Sequence, residues 1–192
     1  MLLNHKKQTI ETPKKSSILT LININVIMAQ GYETQSYEVI KTVGEAELRF
    51  YPSVMMAKTS VNSGFSSLFR YISGNNTSQQ KISMTTPVHM DRNSKEGSME
   101  FVLPKSFNKE NTPKPLAGNV KVYESEAKYY AAFSFGGYTN SRKEQSIIEK
   151  GKLILKEYDI SFSDAPIVLV YNSPYTFFNR KNEVLFPIEI PK

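Results

Sequence analysis

Gly64-Phe-Ser-Ser-Leu68-Phe-Arg-Tyr-Ile72-Ser-Gly74-Asn75-Asn76, then a polar loop, then Lys81-Ile-Ser-Met-Thr-Thr-Pro-Val-His89-Met90, is the stretch that decides how this chain folds. In its first half Phe65, Leu68, Phe69 and Ile72 recur at i, i+3, i+4 and i+7, one apolar stripe of a helix. Asn62 or Ser63 stands where an N-cap is wanted, and Gly74 where a left-handed stop is wanted. Asn75-Asn76-Thr77-Ser78 is turn chemistry. From Lys81 the period falls to two, with Ile82, Met84, Thr86 and Val88 on one face and Lys81, Ser83, Thr85 and His89 on the other. A helix hands over to a strand.

Strand patterns flank this unit. Tyr37 to Ile40, Ala46 to Phe50 and Val54 to Val61 precede the helix, with a turn at Val43-Gly44 and a ladder break at Pro52. Met99 to Leu103 follows it. Pro104 to Gly118, with three prolines, is the longest connection and divides the chain into halves. The second half echoes the first. Val120 to Ser125 and Tyr129 to Phe135 overlay Leu48 to Ser53 and Met55 to Val61, and a helix follows in both. Ser141-Arg-Lys-Glu144 reads as a capping box for that helix, with Ile147, Gly151, Ile154 and Tyr158 as its buried stripe. Ile167 to Val170 and Glu183 to Ile188 are the last strands. The expected fold is α+β: two strand–strand–helix–strand–strand repeats, about 37–104 and 118–190, whose strands pair across the halves and close most sheet edges.

The chain has 192 residues, 40% hydrophobic and 22% charged, enough for one domain with a real core. Its net charge is +6, but the cations are scattered beyond pairs such as Arg142-Lys143 and Arg180-Lys181, so no nucleic-acid partner is expected. The absence of cysteine excludes disulfides, thiolate nucleophiles and thiolate metal ligands. Residues 1–30 read as a leader outside the fold, a signal peptide or a misassigned start. Lys14-Lys15 precede an apolar run ending at Ala29 that is too short to span a bilayer. Export follows if residues 1–29 are a signal, and a cytoplasmic place follows otherwise. A monomer of residues 31–192 is expected.

Six blocks in order carry a family resemblance. They are Tyr37-Glu-Val-Ile40, Leu68-Phe-Arg-Tyr-Ile-Ser-Gly-Asn75 with Ile82-Ser-Met-Thr-Thr-Pro-Val88, Phe101-Val-Leu-Pro104, Phe135-Gly-Gly-Tyr138, Tyr171-Asn-Ser-Pro174 and Arg180-Lys-Asn-Glu-Val184. In these the chain resembles the SOUL family of haem-binding proteins over roughly Tyr37 to Ile188. The resemblance implies a distorted antiparallel β-barrel flanked by two helices. It also implies a tetrapyrrole lying in an apolar groove by the first helix, with basic side chains meeting its propionates.

The residues themselves point to binding rather than catalysis. His5 and His89 are the only histidines, and no nucleophile–base pair, multi-histidine metal set or phosphate loop is present, so no enzyme is expected. Phe65, Leu68, Phe69 and Ile72 are either core or groove wall. Arg70 is either a bidentate carboxylate partner or a solvated helix arginine. Tyr175, Phe177 and Arg180 lie in an aromatic loop that either caps the barrel or faces ligand. His89 is the candidate axial haem ligand, although strand alternation turns it away from the apolar face, and Tyr71 is a fallback oxygen ligand. The expected function is haem or porphyrin binding as carrier, buffer or scavenger. The alternatives are a small-molecule effector-binding module, of the kind found in bacterial multidrug-responsive regulators, or a protein-interaction domain.

Overall fold

The computed structural model describes residues 31–92 and 96–189, so the expected leader lies outside the described residues. The first four strands are β1 (Glu33–Thr34), β2 (Glu38–Val43), β3 (Ala46–Tyr51) and β4 (Met55–Ser60), and they lead into α1 (Gly64–Ile72). After it come β5 (Thr85–Thr86), β6 (Val88–Asp91), β7 (Ser98–Val102), β8 (Lys121–Glu124) and β9 (Lys128–Gly136). Then follow α2 (Ser141–Glu157), β10 (Ile167–Val170) and β11 (Lys181–Ile188). The strand expected from Lys81 onward is shorter and divided: β5 and β6 are separated at Pro87, behind a cis Thr86–Pro87 bond, and β5 pairs in parallel with β1.

Nine strands form one antiparallel sheet in the order β2-β3-β9-β11-β10-β6-β7-β4-β8. The pairing among the described strands ends at β2 and β8, so it does not close them into the distorted barrel that the resemblance implies. With β3, β4, α1, β6 and β7 taken as one unit and β8, β9, α2, β10 and β11 as another, the order is symmetric about the β10–β6 pair. Each unit's first strand pairs with the other unit, β3 with β9 and β8 with β4. Among the described residues no helix is long and apolar enough to cross a membrane.

Both helices pack on one face of the sheet. Leu68, Tyr71 and Ile72 of α1 meet Met55, Ala57, Phe101 and Val120, and Leu155 of α2 packs with Ala131, Phe133, Val184 and Phe186. Gly151 lets α2 approach closely, because a Cβ there would stand 2.7 Å from a Phe186 ring carbon. Two cap expectations are corrected. Ser63 starts α1 without a side-chain cap bond, and α2 is capped by Asn140, whose side chain accepts the Lys143 N–H. Glu144 turns instead to Thr139 and Arg92, and Tyr158 is half exposed. The opposite face is also buried, under Tyr37, Tyr51, Ala132, Leu169, Tyr171 and Leu185. Antiparallel sheets more often leave one face to water. Here a residue that alternation turns away from one core enters another.

Candidate functional site

Among the exposed aromatics, two candidates lie on α1 and two in the loop that follows β10. Phe65 and Phe69 lie one turn apart on α1, stacked at 5.8 Å with an interplanar angle of 18°, and stay 46% and 51% exposed. Phe65 also meets the buried Phe101 edge-on at 5.1 Å. Phe101 pairs across to Val88, and Val88 pairs across to Val170, so the three share the helix-bearing face about 10 Å from end to end. The two valines are only partly buried. One residue beyond Val170 the chain enters the aromatic loop, where Tyr175 and Phe177 are 83% and 73% exposed. The sheet register therefore brings the loop's root to the same end of a shallow apolar face that α1 borders. Arg70 follows Phe69 on the helix, exposed, and its guanidinium has no partner recorded among the described residues.

Four of the candidate site residues are claimed by the fold. Leu68 and Ile72 are fully or nearly buried beneath α1, because they occupy the inner edge of the stripe whose outer edge is Phe65 and Phe69. The Tyr71 hydroxyl donates to the Pro113 carbonyl at 2.8 Å inside the core, which removes it as an oxygen ligand. Arg180 is buried, donates to the Ser173 and Thr176 carbonyls at 2.7 and 2.8 Å, and lies 4.3 Å over the Tyr138 ring. It ties the aromatic loop to itself rather than extending toward a ligand.

His89 lies on the other face. Its Nε2 sits 2.8 Å from Gln35 Oε1, and its cross-strand partners are Leu169 and Glu100. The residue keeps a minor part of its surface exposed, yet its ring is enclosed. That burial pushes the imidazole down to about 4, against a smaller upward pull from the Glu100 charge. The cleft it lines, with Tyr51, Met56, Tyr123 and Tyr130, holds about 100 Å³. Small-molecule sites run to several hundred Å³, so the cleft is too small for a tetrapyrrole ring. The expectation that His89 faces outward is replaced by an enclosed polar position.

Arg49 and Glu183 are not among the candidate site residues read from the sequence. On the inner face Arg49 donates from Nη1 and Nη2 to both Glu183 carboxylate oxygens at 2.9 Å and lies 4.0 Å from the centre of the Tyr37 ring. Tyr171 Oη, Ser134 Oγ and Lys181 Nζ complete the Glu183 shell at 2.7, 3.0 and 3.1 Å. Burial alone would raise the Glu183 carboxyl, but Arg49 above all, then Lys181 and Tyr171, hold it at about 2. Arg49 and Glu183 lie on β3 and β11, which flank β9 in the sheet, so their pairing across β9 left no mark in the local sequence.

Comparison with known proteins agrees with the fold and with the family resemblance. Residues 32–187 match the family described as SOUL heme-binding protein. The chain belongs to that family. Heme-binding protein 2 of Homo sapiens is 28% identical over 177 residues, covering 81% of this chain and 86% of the human protein. Its Mus musculus counterpart is 26% identical over 183 residues, covering 82% and 89%. Among solved structures, the C-terminal domain of EcmrR shares the fold at a TM-score of 0.51 and 14% identity, over 75% of this chain and 96% of that one. A protein described as a hydrolase from Listeria innocua does so at 0.54 and 10%, over 78% and 94%.

Proposed function

We propose that this SOUL-family protein binds haem or a related tetrapyrrole along the exposed face of α1 and serves as a carrier, buffer or scavenger. The observation that carries the reading is the Phe65–Phe69 pair, stacked and half exposed beside an arginine with no recorded partner. Flat rings offered edge-on and face-on suit a macrocycle, and a free guanidinium suits a propionate, which it can grip with two parallel hydrogen bonds. Val88 and Val170 would floor the groove, and Tyr175 and Phe177 would close on the ligand from the loop. Bound haem would supply iron and its redox chemistry, while the residues named here bind and orient the ring and exclude water. His89, the one histidine among the described residues, is on the opposite face, so binding in this reading depends on the macrocycle and propionates rather than on a histidine–iron bond.

The test is an absorbance titration with haemin and with metal-free protoporphyrin. One saturable site, with affinities for the two within about threefold, supports the reading, since a coordinate bond would separate them far more. Phe65→Ala/Phe69→Ala should abolish saturation and His89→Ala should leave it unchanged. Tight haemin binding that is lost with His89 would defeat the proposal.

The effector-module reading has the shared EcmrR domain fold behind it. A cationic guest of the inner face would need an unpaired acid there, but Glu183 is held by Arg49 and Lys181, and Glu100 by Lys58 at 3.0 Å and by the Tyr123 hydroxyl. We therefore expect no binding of a lipophilic cation such as rhodamine 6G.

A further inference from the structure

Away from α1's exposed face, a cleft of about 840 Å³ lies along the outer edge of β8, the last strand of the sheet. That volume is in the range of small-molecule sites. One wall is the 112–115 segment, and it is fixed in place. Tyr71 Oη donates to the Pro113 carbonyl, the Thr77 N–H donates to the Lys114 carbonyl at 2.9 Å, and the Lys114 N–H donates to Thr77 Oγ1 at 3.1 Å. The other wall is β8 itself. Because the Ser125 N–H bonds back to Val54, alternation turns the backbone groups of Val122 and Glu124 away from β4 and into the cleft. Met55 and Val120 are buried apolar lining.

The charge of the lining is lopsided. Lys58, Lys109, Lys114 and Lys121 contribute to it, against Glu124 alone. Lys109 is engaged by Glu124 at 2.7 Å and Lys58 by Glu100, which leaves Lys114 and Lys121 with no acid partner among the described residues. Lys58 and Lys121 are also direct cross-strand partners, an arrangement that costs stability when nothing lies between like charges. A lysine on an edge strand guards against strand-to-strand aggregation. That accounts for Lys121 but not for Lys114 on the facing wall.

We propose that this cleft binds an amphiphilic carboxylate, its head held between Lys114 and Lys121 and its chain laid on Met55, Val120 and Val122. The site is separate from the α1 face and does not rest on the tetrapyrrole reading. Dodecanoate, kept below its micelle concentration, is the probe, followed by calorimetry and by backbone amide shifts. The expected result is one saturable site, with shifts confined to residues 112–115 and 120–124. Lys114→Glu/Lys121→Glu should weaken binding about tenfold or more, since it reverses two charges at the head group. Phe65→Ala/Phe69→Ala should leave it unchanged. Dodecyltrimethylammonium, with a similar chain and the opposite charge, should bind about tenfold more weakly than dodecanoate. Equal binding of the two detergents, shifts centred on α1, or indifference to the charge reversal would each overturn the proposal.

Discussion

Replacing Arg49 by methionine should be among the most damaging single changes on the inner face of the sheet, and its cost should depend on pH in a calculable direction. Arg49 is 2% exposed and Glu183 fully buried, joined by two 2.9 Å hydrogen bonds. Removing one partner of such a pair leaves an uncompensated buried charge, at about 3–5 kcal/mol. Here Lys181, Tyr171 and Ser134 still reach the carboxylate, so the lower end, about 3 kcal/mol, is expected. The lowering of the Glu183 carboxyl by the same contacts leads to a similar figure. A Glu183 pKa of about 2, against 4.5 for the free group, corresponds to roughly 3 kcal/mol of stability. Because the folded pKa is the lower one, that stability is fully present above 4.5 and is lost as pH falls through 2. In Arg49→Met burial becomes the dominant influence on Glu183, the carboxyl rises, and acid relieves the variant while it weakens the wild type. The gap between the two should therefore shrink by at least about 1 kcal/mol between pH 7 and pH 4. Urea unfolding at the two pH values measures it, and Arg49→Met/Glu183→Leu should recover at least half of the pH 7 loss by replacing the pair with apolar volume. A single-variant cost under about 1 kcal/mol, or a gap that does not change with pH, would refute the reasoning.

Other expectations rest on single positions. Leu68→Ala should cost about 2–5 kcal/mol in urea unfolding, whereas Phe65→Ala, on the open edge of the same helix, should cost well under half as much. Gly151→Ala should destabilise by roughly 1–3 kcal/mol, because its Cβ would meet Phe186 at 2.7 Å and Phe133 at 3.1 Å. The His89 ring should titrate near 4 by proton NMR rather than near 6.5. The folded state then loses stability as pH falls from about 6.5 through 4, and His89→Gln should flatten that slope.

Helices and strands were legible because their periods are carried by large apolar residues. The stripe of α1 and the strand at Ile167–Val170 both follow from spacing. What spacing cannot report is which of two alternating faces carries a core, and in this sheet both do. Alternation turned His89 away from the apolar face and said nothing of Arg49, yet both stand on a second interior, one neutralised by Glu183 and the other kept uncharged by burial. The same ambiguity divided the α1 stripe. Four residues shared one periodicity, but only the sheet's position beneath the helix separates Leu68 and Ile72, which it covers, from Phe65 and Phe69, which it does not. Arg180 looked like a free cation because its partners are backbone carbonyls within seven residues, which a sequence shows only as a loop.

In the proposed complex a tetrapyrrole lies against α1 on the helix-bearing face of the sheet. The most direct measurement is a backbone and side-chain NMR shift map of residues 31–192 with gallium(III) protoporphyrin IX, a diamagnetic stand-in for haemin. A ring bound against α1 should give ring-current shifts at Phe65, Phe69, Arg70, Val88, Val170 and the 175–177 loop, with His89 and Glu183 unmoved. Shifts centred on His89, Tyr123 and Tyr130 would contradict it and move the ligand to the inner face.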